Sequence, residues 1–299
     1  MKNLINEGGM DRFGRISLSE ILFIIGFFWL GSTLQIVFFV LSLILLVTGI
    51  VGFCPLYTVL KIRTDKKVIK ISKTYWLIFI ILFVLIGGVG SYYSAFFTKK
   101  IFLEDYNRMN NYYKQTLFNT GKEMRPESIA NYDALSKEYA VFLKKYTSYH
   151  PYALYGDKQW NNDITKVASI ITDLKDKIYT GDLKESHLNL EKVRPIFQDI
   201  LKRNNFSMLA ITLVDFHDVM EKVIEAADTK DPVGVINTYP EANDKLNAIA
   251  AEANDAEIQA IRKNLEDIKT LAEQGQSEKL PEKAAELKSS FVKVYLKRG

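Results

Sequence analysis

The chain has 299 residues, 48% hydrophobic and 25% charged, with a formal net charge of +4 at pH 7. That charge is unevenly placed: residues 1–100 hold eleven Lys/Arg against four Asp/Glu, a net of +7, and the remainder carries −3. The basic balance thus belongs to an apolar region and does not argue for a nucleic-acid partner, while the one cysteine, Cys54, excludes an internal disulfide, covalent haem attachment through CxxCH and a CxxC zinc site.

The first element is a nearly uncharged tract, Ile21 to Phe53. One bilayer crossing needs about 20 residues, so this tract is too long for a single span. Its most polar point is Gly31-Ser32-Thr33-Leu34-Gln35. The pattern predicts a tight helical hairpin, with spans at about 17–31 and 34–53; an interfacial placement of the short first span is the alternative. A third span is predicted at 75–97, with Tyr75 and Trp76 at one end and Tyr92 and Tyr93 near the other, as in an interfacial aromatic belt.

The loop 54–74 joins spans two and three. Between Lys61 and Lys73 it carries Lys61, Arg63, Lys66, Lys67, Lys70 and Lys73 against Asp65 alone. Positive loops stay cytoplasmic, so the loop and the N-terminus are expected inside and residues 101–299 outside, in the periplasm of a Gram-negative cell. A cleaved signal peptide fits poorly, because the tract is long, Glu7, Asp11 and Glu20 precede or enter it, and no small-residue cleavage site follows.

Two motifs bracket the hairpin: Met10-Asp11-Arg12-Phe13-Gly14-Arg15, and Thr48-Gly49-Ile50-Val51-Gly52-Phe53-Cys54-Pro55-Leu56-Tyr57. Over residues 10–64 the chain resembles the YgaP-like transmembrane domain family, whose hallmark is a DRxxR entry and a TGxxGxCPLY exit. The resemblance implies a small bacterial inner-membrane unit able to pair two hairpins into a homo-oligomer. Some members carry a rhodanese domain; no rhodanese active-site loop occurs in this sequence. From the residues alone, Gly49 and Gly52 allow close helix approach, Pro55 ends span two, and Cys54 is a small packing residue or a reactive thiol at the cytoplasmic edge.

From Glu104 onward apolar residues recur at spacings of three and four, with no alternating strand pattern, so the fold class is all-α. Helices are predicted at 101–118, 126–148, 160–179, 182–203, 206–228, 231–252, 255–274 and 278–298. The breaks fall at Gly121, His150-Pro151 to Gly156, Thr180-Gly181, Asn204-Asn205, Asp231-Pro232 and Gly275. The segments 171–204 and 265–299 echo each other at an offset of 94 to 95 residues. Two four-helix units, 101–204 and 205–299, follow from that echo. The second resembles cytochrome-b-type four-helix bundles in architecture; its last helix has neither His nor Met, so haem is not implied.

Two histidines share a context. His187 precedes Glu191 by four residues, and His217 precedes Glu221 by four, which puts each pair on one helix face. If helices 182–203 and 206–228 form an antiparallel hairpin about Asn204, then His187 levels with Glu221, and Glu191 with His217. Such a set could hold a divalent metal, with Arg194, Asp215 and Asp218 around it. Two interhelical His–Glu contacts at a bundle seam explain the same residues without a metal. The aromatic cluster Tyr146, Tyr149, His150, Tyr152, Tyr155 and Trp160 is read as a loop packing site, with a ligand cleft as the alternative.

No nucleophile elbow, P-loop, HExxH or dinucleotide fingerprint is present, so an enzyme is not indicated. The leading reading is an inner-membrane protein that anchors an extracytoplasmic helical bundle for ligand, metal or protein-partner binding. A metal-dependent or redox protein using the His/Glu set is the alternative. An accessory subunit of a signalling or transport complex is a further one. A receptor in its own right is disfavoured by cytoplasmic parts too small for an output domain.

Overall fold

The computed structural model describes residues 5–65 and 72–298. Lys66, Lys67 and Lys70 of the basic loop lie outside them. The described residues are helical throughout, with no strand among them. In chain order the α-helices are α1 (Gly9–Trp29), α2 (Ser32–Val51), α3 (Pro55–Val59), α4 (Lys73–Gly121), α5 (Arg125–Ser148), α6 (Trp160–Asp173) and α7 (Lys175–Tyr179). They continue with α8 (Leu183–Leu190), α9 (Val193–Arg203), α10 (Met208–Asp228), α11 (Pro232–Glu252), α12 (Ala256–Glu273) and α13 (Leu280–Arg298).

The chain divides into two compact units. One comprises Met1–Lys99 with Lys144–Lys158, the other Lys100–Leu143 with Gln159–Gly299.

In the first unit α1 and α2 form a closely packed hairpin. Small residues make the approach close enough for hydroxyls to bridge the backbones. Ser19 Oγ donates to the Ser42 carbonyl (2.8 Å) and Ser42 Oγ to the Ser19 carbonyl (2.9 Å). Beside the turn, Gln35 donates to the Gly26 carbonyl (3.1 Å). Two helices, α2 and α4, are long and apolar enough to cross a membrane, and none of the most apolar stretch of α4 is buried. A soluble core helix of such composition would be covered; these side chains face outward, as lipid-facing ones do.

Four expectations need correction here. The helix predicted at 160–179 divides at Leu174 into α6 and α7. Span three and helix 101–118 are one helix of 49 residues. Thr98-Lys99-Lys100 holds no Gly or Pro, and Thr98 Oγ1 bonds back to the Ser94 carbonyl (2.7 Å), so nothing interrupts the ladder. The helix predicted at 182–203 is split into α8 and α9, because Pro195 has no N–H for the Glu191 carbonyl and its ring crowds that oxygen. Pro55 does not end span two. Gly52 does so, in a left-handed C-cap at φ +77°, and Pro55 opens α3 at its first position.

The tyrosine cluster packs as a loop within the first unit. Tyr149 OH donates to the Phe28 carbonyl (2.6 Å), and Tyr152 and Tyr155 lie against Phe28 and Phe27 at ring separations of 5.5 and 5.6 Å. Trp160 belongs to the second unit, buried against Phe102 and Phe142.

In the second unit α10 to α13 pack in cyclic order, α10 on α11, α11 on α12, α12 on α13, and α13 back on α10. Their starts are chemically specified. Ser207 caps α10, Pro232 occupies the first turn of α11, and Asp255 caps α12 by accepting from Glu257 and Ile258 N–H. Gly275, at φ +68°, follows the end of α12. Phe216 and Phe291 are fully buried at the centre, with ring centroids 5.5 Å apart. The rest of the unit is built on the buried stripe of α4 (Phe102, Tyr106, Met109, Tyr113, Leu117). It takes Phe142 and Trp160 against Phe102, and Phe197 against Tyr106.

Candidate functional site

The membrane motif forms a closed polar knot at one end of the hairpin. The last carbonyls of α2 have no partner within their own helix, and a cation is favoured at that negative end. Arg12 supplies both needs: Nε donates to the Gly49 carbonyl (2.7 Å) and Nη2 to that of Ile50 (2.5 Å). Arg15 donates to Thr48 Oγ1 (3.2 Å), pairs with Glu7 (3.0 Å) and Asp11 (3.1 Å), and lies over the Tyr57 ring at 4.6 Å. Asp11 also accepts from Thr64 Oγ1 (2.8 Å). Asn6 clasps Cys54, accepting from its N–H and donating to its carbonyl, each at 2.9 Å.

Gly49 is needed for space, since a Cβ there would lie 3.0 Å from Ile16 and 3.2 Å from the Arg12 carbonyl oxygen. Cys54 is a free cysteine buried in this knot. Nearly every polar atom of the motif is spent on another part of the same motif, which makes it a fastening.

The four predicted ligands, His187, Glu191, His217 and Glu221, are divided. α10 packs mainly against α11 and α13, and α9 against α6. His187 Nδ1 lies 2.9 Å from the Leu117 carbonyl on α4, and its Nε2 is 3.9 Å from Glu191. His217 stacks on Tyr295 at 5.6 Å, with Asp218 at 3.4 Å and Glu221 at 3.9 Å; Glu221 also pairs with Lys288 of α13 (3.4 Å). Among the described residues no three His, Cys, Asp or Glu side chains form a group that could hold a metal.

His217 has its own electrostatic setting. Its hydrogen bond with Asp218 raises its pKa above the usual histidine value, burial opposes this, and the charges of Asp218, Glu221 and Glu104 add to the rise. Glu104 is raised by burial first, then by the nearby Asp218. Lys100, buried, sits over the other side of this group, 4.2 Å from the Tyr295 ring centroid.

Two of the surrounding residues, Arg194 and Asp215, instead line a cleft of about 740 Å³ between α4, α9 and α10. Tyr106, Tyr113, Phe197, Leu201, Phe206 and Ile211 supply its apolar wall, and all six are mostly buried. Asn110 and Gln198 add hydrogen-bonding groups, while Asn107 and Thr212 in the lining donate to the Ile211 and Met208 carbonyls. Tyr113 OH donates to the Leu190 carbonyl (3.0 Å), and burial pushes its pKa up to about 12, so at neutral pH it remains a donor. Arg194, Lys114 and Lys202 give the rim positive charge. Asp215 is neutralised by Lys245 at 2.5 Å, and Arg194 is shared with Glu191 at 3.2 Å. Lys114 and Lys202 have no acidic partner among the described residues.

The cleft escaped the sequence reading because each helix contributes only one strip of it. The available signal was polar residues set at helical spacing among apolar ones: Asn107, Asn110 and Lys114 on α4, Arg194, Gln198 and Lys202 on α9.

Two apolar helices of spanning length, together with a hairpin cross-linked by serines, point to a membrane protein. Residues 1–68, under a quarter of the chain, match the family model described as "Inner membrane protein YgaP-like, transmembrane domain". This agrees with the resemblance carried by the two motifs and with its extent. No curated protein and no solved structure matches the chain.

Proposed function

We propose that this is a bacterial inner-membrane protein whose hairpin and apolar half of α4 anchor an extracytoplasmic helical domain, residues 101–299, and that this domain binds a ligand in its cleft. The observation that carries the binding reading is the cleft itself. It is a concave, largely apolar space with a few polar groups, of the size that holds small molecules, and two exposed cations on its rim have no acidic partner among the described residues. The placement outside rests on the basic residues between Lys61 and Lys73, beside the ends of α2 and α4. Pairing of hairpins from two copies is part of the same proposal, as the family resemblance implies.

A pair of reporters at the C-terminus tests the placement. Alkaline phosphatase fused after Gly299 is expected to be active and a fluorescent protein to be dark; the reverse pattern would overturn it. Binding is tested by filling the cleft. Asn110→Trp should abolish any ligand-induced hydrogen-exchange protection of α4 and α9 while leaving the fold intact.

A further inference from the structure

We infer that the cleft between α4, α9 and α10 takes a single-chain amphiphile with an anionic head, the chemistry of a fatty acid. The inference deepens the binding reading above and rests on it.

Length, wall and charge all point to this class of ligand. The lining residues of α4 run from Tyr106 to Leu117. At 1.5 Å per residue that is about 17 Å of groove, the reach of a medium-length alkyl chain. The wall is aromatic and aliphatic, with Tyr106 and Phe197 rings 5.1 Å apart, so an alkyl chain is desolvated along it. A purely polar anion would leave that wall wet, and a neutral hydrocarbon would leave the rim unused.

The charge balance favours an acid. Asp215 has Lys245, and Arg194 has Glu191, whereas Lys114 and Lys202 are exposed and lack an acidic partner among the described residues. Two surplus ammonium groups beside an apolar trough can meet an anionic head whose tail lies in the trough. Asn107 is turned away from this role, its amide donating to the Ile211 carbonyl (3.1 Å), which fixes α4 to α10 along the cleft wall. Asn110 and Gln198 remain as hydrogen-bonding groups in the lining.

The test uses the full chain in detergent-free nanodiscs of phosphatidylcholine, with dodecanoate bearing a terminal diazirine as the probe. After irradiation, labelled peptides are mapped by mass spectrometry. Label is expected on the segments 106–117 and 194–212. Unmodified dodecanoate should displace it, dodecanol should do so weakly, and inorganic phosphate should have no effect. The double variant Lys114→Ala, Lys202→Ala should weaken displacement by dodecanoate about tenfold, as two exposed charge contacts allow. Lys184→Ala, an exposed lysine outside the cleft, should change nothing.

Label confined to the membrane spans overturns the inference. So does displacement by phosphate, which would mark a free-anion site, and so does equal displacement by dodecanol with an unaffected double variant. The two readings fail separately. An unlabelled cleft with an active C-terminal phosphatase removes the amphiphile and keeps the placement. A labelled cleft with a cytosolic reporter does the opposite.

Discussion

The arginines of the hairpin and the lysines of the cleft are all cations at helix surfaces, and they are used in opposite ways. Arg12 and Arg15 have their donors committed to the Gly49 and Ile50 carbonyls, Thr48, Glu7 and Asp11. Lys114 and Lys202 stand at the edge of an apolar hollow with no acidic partner among the described residues. A polar group whose partners lie within its own motif stabilises a structure. One left over beside a concave apolar wall has capacity for something from outside. The contrast ties the charges of the DRxxR stretch to architecture and leaves the lysines of α4 and α9 for the proposed binding.

The comparison can be broken by measuring stability on one side and binding on the other. Gly49→Val carries the largest expected effect. Its side chain would press into Ile16, the Arg12 carbonyl and Arg15, destabilising the hairpin by about 3 kcal/mol as overpacking does; thermal unfolding of the full chain in nanodiscs reads it, and an unchanged midpoint would remove the close-approach argument.

Arg12→Gln comes next. It strips the end of α2 of a charged donor and should cost about 2 kcal/mol in the same assay. If Arg12→Gln were silent while Lys114→Ala destabilised, the assignment of the two regions would be reversed.

His217 gives a smaller, pH-dependent signal. Its pKa is raised in the folded chain, so the stability it contributes is full below the ordinary histidine value and is lost as pH rises through the folded one. Glu104 on α4, raised by burial, acts in the same direction, because deprotonating it as pH rises costs folded-state stability. The groups around this centre are Glu104 and Lys100 from α4, Asp218 and Glu221 from α10, and Tyr295 and Lys288 from α13. The second unit should therefore melt higher at about pH 5.5 than at about pH 8, and His217→Gln should flatten that difference. A slope of the opposite sign would show that burial, not Asp218, governs the imidazole.

Lys114→Ala and Lys202→Ala should be the quietest, within about 0.5 kcal/mol of the parent in stability. Their effect belongs in the binding assay alone. A large stability loss would mean the two lysines have structural partners after all.

The membrane half was largely legible in the sequence. Its signals are local: a run of apolar residues long enough to span, a turn at Gly31-Ser32, and motifs whose parts sit at the ends of adjacent helices. The all-helical class was equally legible from spacing and from Gly, Pro, Ser and Asp punctuation. Continuity of α4 through Thr98-Lys99-Lys100 was not, because a change from apolar to charged composition looks like a boundary even where the hydrogen-bond ladder continues. The levelling of His187 with Glu221 rested on a related assumption. Matched distances from a turn level two residues only if the helices run straight and side by side; Pro195 breaks one of these helices, and the other packs elsewhere.

What the sequence determined by itself is therefore the set of elements and the class of protein, since hydropathy, helix ends and motif chemistry act over a few neighbouring residues. Which faces meet was decided only in three dimensions. Packing the strips of α4, α9 and α10 around one hollow brings together residues as distant as Tyr106 and Thr212, and no property of any one strip reports on the others. The cleft exists only as their sum.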